Sequence, residues 1–146
     1  RGAQVAGIDL DARYLRQARW AARQFNLQSQ VSFHQMQVYD LIRRSELPAA
    51  FDVVLFMGVF YHLRYPMLGL DIVAQKTRKL MLFQTLAMPE DHVRPAPQDT
   101  PWTARDTLLE PGWPRLAFIE HRFAGDPTNW FLPNYAGIEA LLRSVW

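Results

Sequence analysis

Phe51-Asp-Val-Val-Leu-Phe-Met-Gly-Val-Phe-Tyr-His-Leu-Arg-Tyr-Pro66 is the stretch that decides how this chain reads. Val53 to Met57 is an unbroken apolar run, the pattern of a strand buried on both faces, and it stops at Gly58. Tyr61, His62, Arg64 and Tyr65 follow at once. In open parallel α/β sheets the ligand sits just outside the carboxyl ends of the strands. A buried strand that opens directly into Tyr-His-x-Arg therefore reads as one wall of a binding cleft. Unpaired polar groups fit poorly at a buried strand end, which favours a site role for Tyr61 and His62.

Upstream, Gln4-Val-Ala-Gly-Ile-Asp9 is a short strand ending in an acid. A carboxylate at the tip of a parallel strand is the usual device for holding the two ribose hydroxyls of a nucleotide. Asp11 is a natural N-cap for a helix running to about Phe25, with Leu15, Ala18, Ala22 and Phe25 on one face. Arg13, Arg16, Arg19 and Arg23 recur on another face and read as solvated surface. Val31 to Val38 reads as a second strand leading to Tyr39-Asp40, and Leu41 to Leu47 as a short turn or helix stopped by Pro48.

Downstream, Pro66 to about Thr77 reads as a helix with Leu68, Ile72 and Val73 inward, and Lys79 to Met88 as a fourth strand. Strands alternating with helices at this pitch predict βαβ units and a parallel sheet. The pattern breaks at Pro89. From there to Pro114 the chain carries Pro89, Pro95, Pro97, Pro101, Pro111 and Pro114, with Trp102 and Trp113 among them. A connection that long is usually a lid or a disordered insert, and its tryptophans favour ordering, hence a lid or substrate-side cap. Leu116 to Phe123 reads as an extra strand and Asp126 to Pro133 as a turn-rich aromatic segment. Tyr135 to Val145 reads as a closing helix with Ile138, Leu141, Leu142 and Val145 inward.

Composition sets the outer bounds. At 146 residues the chain is at most one domain, and 49% apolar content supports a core. No apolar run approaches the roughly 18 residues of a membrane span. With no cysteine, disulfide staples and thiolate metal sites are excluded. The expectation is a cytoplasmic protein without a membrane partner. Fourteen of the sixteen basic residues are arginine, which suits phosphate contact, but a net charge of +2 falls short of a basic nucleic-acid-binding domain. His34, in a strand, reads as a surface or satisfied histidine, and His92 and His121 lie far apart with no carboxylate at ligand spacing, so no metal site is expected.

Gly7-Ile-Asp9, then Tyr39-Asp40, then Phe51-Asp52 leading to Met57-Gly58, resemble the successive motifs of class I S-adenosylmethionine-dependent methyltransferases. More narrowly, Met57-Gly-Val-Phe-Tyr-His-Leu-Arg-Tyr-Pro66 resembles the bacterial enzymes that modify the wobble uridine of tRNA by carboxymethyl transfer from carboxy-S-adenosylmethionine. Asn129-Trp-Phe-Leu-Pro133 is similar to a matching stretch in that group. The resemblance implies a Rossmann-like, doubly wound, mostly parallel α/β sheet. It implies that Asp9, with Leu10 and Asp11 beside it, binds the cofactor ribose, and that Tyr39 and Asp40 flank the adenine. Met57 would lie against the sulfonium or adenosyl face, and Tyr61 would point at the methionine end or the transferred group. His62 is the candidate base, with Tyr61 beside it, and Arg64, Asn129 and Trp130 are candidate substrate contacts. The cofactor would be S-adenosylmethionine or its carboxylated form.

The departures matter too. The family's glycine-rich turn, and the strand that carries it between Gln4–Asp9 and Phe51–Met57, have no counterpart here, and neither do its final strands. The chain is therefore expected to be a partial domain, inactive by itself: a core over 1–88, an insert over 89–128 and a closing helix segment over 129–146. Each candidate also has a plain structural reading: Asp9, Asp11 and Asp40 as helix caps, Met57 as core. Other readings are a methyltransferase on a small-molecule or glycan acceptor, a Rossmann-like domain that has lost its cofactor, and a nicotinamide-dependent reductase. The last is disfavoured because no Tyr-x-x-x-Lys pair is present.

Overall fold

The computed structural model describes residues 2–90 and 92–146; Arg1 and Asp91, the latter inside the proline-rich stretch, lie outside the described residues. The chain is mixed α/β and divides into two compact units, Arg1–Ala49 and Ala50–Trp146. Among the described residues the strands form three two-stranded sheets.

In the first unit, β1 (Val5–Asp9) pairs in parallel with β2 (Val31–Gln35), and α1 (Ala12–Gln24) connects them. Asp11 caps α1 as expected: its side chain accepts from the Arg13 amide at 2.7 Å. The helix ends in a left-handed residue, Asn26, with φ 55°. The amide of Leu27 bonds the Ala22 carbonyl and that of Asn26 bonds the Arg23 carbonyl, which is the Schellman pattern. Phe25 is consequently a cap residue, 73% exposed rather than inward. Leu15 and Ala22 carry the buried face.

β2 is shorter than the expected Val31–Val38. β1 ends at Asp9, whose carbonyl accepts from Met36, and beyond that point β2 has no partner strand. The chain turns inward there, burying Met36, Val38 and Leu41, and Val38–Ile42 coils as a 3₁₀ helix.

In the second unit, β3 (Phe51–Met57) pairs in parallel with β4 (Thr77–Gln84), and α2 (Pro66–Gln75) connects them. Pro66 occupies the first turn of α2, where a missing N–H costs nothing. Its buried face is Pro66, Gly69, Leu70, Ile72 and Val73, so Leu68, expected inward, stands out of that stripe and is exposed. β3 is covered on one face only. Phe56 is buried against Phe83, but Val53, Leu55 and Met57 are 53%, 65% and 53% exposed, and their neighbours Leu80 and Leu82 are exposed beside them. The apolar run was legible; that only one face would be covered was not.

β4 also ends before the expected Met88. Met57 pairs with Gln84, and past that point Met88 bonds the Pro133 carbonyl instead. The expected strand over Leu116 to Phe123 shortens to β5 (Leu116–Phe118), antiparallel to β6 (Phe131–Pro133), followed by α3 (Tyr135–Val145). Gly137 in the first turn of α3 tolerates no side chain, because a Cβ there would lie 2.5 Å from the Arg115 carbonyl oxygen.

The proline-rich stretch is closed at a neck. Glu90 accepts from the Gly112 amide at 2.6 Å and from the side-chain amide of Asn134, and Arg94 bonds the Gly112 carbonyl at 3.0 Å. Beyond the neck, Trp102–Leu109 forms 3₁₀ turns with Trp102 and Leu109 exposed. The Gly112 amide, then the Asn134 amide, hold the Glu90 carboxyl below its ordinary value of 4.5. A carboxyl depressed on folding adds stability above its unfolded value and loses it as pH falls through the folded one. Protection of the Gly112 amide in hydrogen exchange should therefore be full near neutrality and fall below the ordinary carboxylate range. Equal protection factors on both sides of that range would contradict the neck.

Candidate functional site

The candidates gather at the carboxyl ends of two parallel strand pairs, one in each unit. In the first unit, Asp9 is the last residue of β1, and Leu10 after it is exposed. Asp9 Oδ1 accepts from the Asp11 amide at 2.7 Å, while Oδ2 takes no bond from the described residues. Asp11 is engaged as a cap and by the Arg13 guanidinium at 2.6 Å. The Arg13 side chain, then its amide, lower the Asp11 pKa. That leaves Asp9, not Asp11, with an acceptor to offer.

Tyr39 and Asp40 sit in the 3₁₀ turn that follows β2, at the same carboxyl edge as Asp9. Asp40 Oδ2 accepts from the Gln37 amide at 3.0 Å, and the Asp40 amide donates to the Gln37 carbonyl, the backbone bond of the turn. Asp40 therefore lies inside the Val38–Ile42 turn and does not cap a helix over Leu41 to Leu47; both Asp9 and Asp40 spend one carboxylate oxygen on a local turn and leave the other without a bond from the described residues.

In the second unit, Met57 ends β3 with its side chain exposed. Gly58 follows at φ +69°, a left-handed turn that favours glycine. Tyr61 Oη and Gln84 Oε1 converge on this turn, each within 4 Å of where a Gly58 side chain would begin. Tyr61 and His62 lie in a short 3₁₀ turn, Phe60–His62, anchored by the buried Phe60 ring against Phe83. Their own rings sit 4.3 Å apart.

The backbone then brings the far segment to them. The Trp130 amide donates to the Tyr61 carbonyl at 2.8 Å. His62 Nδ1 lies 2.9 Å from Thr128 Oγ1 and 3.2 Å from the Thr128 carbonyl oxygen. Arg64 is exposed and stacks over Trp130 at 4.8 Å and Phe118 at 5.6 Å. Asn129 is buried, its amide donating to the Phe123 carbonyl at 2.9 Å, so it holds the loop rather than facing outward. Its Oδ1 is buried without a partner among the described residues.

Three neighbours were not singled out from sequence: Asp126, Thr128 and Gln84. Asp126-Pro-Thr128 carries a local signal, since an aspartate accepting from the amide two residues on is an Asx turn, here at 2.7 Å. The 66-residue separation from His62 hides its partner. Thr128's hydroxyl, then its amide, lower the Asp126 pKa.

Among the described residues no group of three or more His, Asp or Glu side chains converges as a metal site, and no helix is long and apolar enough to cross a membrane. An open cavity of about 260 Å³ in the first unit is lined by Arg19, Ala22, Arg23, Gln28, Val31 and Phe33, none of them a candidate named above. Set against known proteins, the chain matches no protein-family model and no curated protein.

Proposed function

We propose that this chain is the cofactor-binding core of a Rossmann-like, class I S-adenosylmethionine-dependent methyltransferase acting on a tRNA uridine, by methyl or carboxymethyl transfer. One observation carries the reading. Asp9 and the Tyr39–Asp40 turn lie at the same carboxyl edge of one parallel strand pair, each acid with an oxygen not spent on its turn. Ribose hydroxyls need a carboxylate acceptor, and an adenine amino group needs an acceptor beside an aromatic ring; this edge offers both kinds of group. Parallel pairing in both units supports the doubly wound sheet.

When bound, the cofactor supplies an electrophilic carbon on a sulfonium. The chain's own residues then position and orient. Asp9 holds the ribose, Asp40 accepts from the adenine amino group, and Leu10 and Tyr39 flank it. In the second unit, the Arg64–Trp130 stack offers a cationic and aromatic surface suited to an acceptor base. His62 takes the proton that an acceptor hydroxyl must lose. A small-molecule or glycan acceptor would use the same groups.

Calorimetric titration of the intact gene product with S-adenosylhomocysteine, against NAD, tests the reading. S-adenosylhomocysteine should bind and NAD should not. Binding of NAD alone would replace the transferase with a reductase, and binding of neither would leave a domain without a cofactor.

A further inference from the structure

We infer that Thr128 and Asp126 are positioning residues that fix which nitrogen of His62 carries its proton. This rests on the proposed transfer reaction only for what His62 acts upon. The assignment follows from what each atom is able to donate. The Thr128 carbonyl oxygen, 3.2 Å from His62 Nδ1, accepts only. That contact is attractive only when Nδ1 bears hydrogen.

The hydroxyl agrees. Thr128 Oγ1 has one hydrogen, and the Asp126 carboxylate, 2.6 Å away, is an acceptor that claims it. Oγ1 then turns a lone pair toward Nδ1 at 2.9 Å. The Thr128 amide, donating to the same Asp126 oxygen at 2.7 Å, locks the turn that sets this direction. Donation therefore runs one way, from Nδ1–H to Thr128 and from the Thr128 O–H to Asp126.

A neutral imidazole has one N–H. With it on Nδ1, the lone pair is on Nε2, which takes no bond from the described residues. His62 is half-buried, neither sealed in the core nor fully in solvent. Nε2 would take the proton of an acceptor hydroxyl, whose oxygen would keep the electron pair; the cofactor, if bound, would supply the electrophilic carbon and a sulfur to keep the displaced pair. The positive charge gained by the ring is then met, through Thr128, by the Asp126 carboxylate. In a catalytic triad the orienting acid does the same for its histidine, holding the tautomer without itself becoming protonated.

The test is spectroscopic and needs no cofactor, so it fails separately from the titration above. The gene product is labelled with ¹⁵N-histidine and long-range ¹H–¹⁵N spectra are taken at roughly pH 8, above the ordinary histidine range. His62 should show the Nδ1–H pattern. Thr128→Val should move it part of the way toward the Nε2–H pattern that free imidazole side chains prefer, and Thr128→Ser should restore it. An Nε2–H pattern in the unmodified protein overturns the inference on its own. So does a Thr128→Val spectrum that is folded and unchanged at His62.

Discussion

Replacing Asn134 with alanine should cost about 3–5 kcal/mol of stability, the largest loss expected from any single substitution in the second unit. Asn134 is fully buried and every polar atom of its side chain is used. Its oxygen accepts from the Gly137 amide at 2.8 Å, capping α3, and from the Arg115 amide at 2.9 Å, beside β5. Its nitrogen donates to the Trp113 carbonyl at 2.7 Å and to the Glu90 carboxylate. Alanine would strand two amides, a carbonyl and a carboxylate at one point. Each unmade bond costs ~1–3 kcal/mol, reduced where water reaches the gap. Aspartate is no remedy, since it would set a second carboxylate against Glu90. Urea unfolding of the two proteins measures the loss, and a difference under about 1 kcal/mol would contradict this role.

The second large effect is on rate. His62→Ala should lower turnover of the transfer reaction by about 10² to 10⁴-fold, the usual contribution of a positioned general base. Affinity for S-adenosylhomocysteine should be unchanged, because the groups assigned to adenosine, Asp9, Tyr39 and Asp40, belong to the other unit. The split between rate and affinity is the diagnostic. Normal turnover in the variant would remove the base role, whatever the fate of the cofactor assignment.

Much of the fold was legible because it depends on neighbours in sequence. The alternation of apolar runs with a 3.6-residue pattern placed β1, α1, β3 and α2 close to their observed bounds, and Asp11 and Pro66 marked the helix starts. What could not be read depends on the partner. β2 and β4 stop where β1 and β3 stop, since a strand without a neighbour leaves its amides unpaired. The exposed face of Val53, Leu55 and Met57 looks like buried sequence because an apolar run does not say how many layers cover it.

The positions of the candidate residues were legible in the same way: Asp9 ends β1, and Asp40, Tyr61 and His62 lie in the turns that follow β2 and β3, where the pattern of an α/β sheet directs attention. Thr128 bonds His62 across 66 residues, beside the Trp130–Tyr61 backbone bond, a pairing of segments far apart in the chain. Asn129 was expected as a substrate contact from the resemblance of Asn129–Pro133 to a family stretch, whereas its amide donates to the Phe123 carbonyl. Asn134, the most connected side chain of the unit, gave no signal beyond its N-cap position.

The claim on which the account stands is that the Asp9 carboxylate holds the ribose of an adenosyl cofactor. Asp9→Asn tests it directly, because the asparagine oxygen still accepts from the Asp11 amide while its nitrogen accepts nothing from a ribose hydroxyl. Titrated with S-adenosylhomocysteine, the variant should bind about tenfold or more weakly than the unmodified gene product, a loss of ~1.4 kcal/mol or greater. Equal affinity in the two proteins would contradict it.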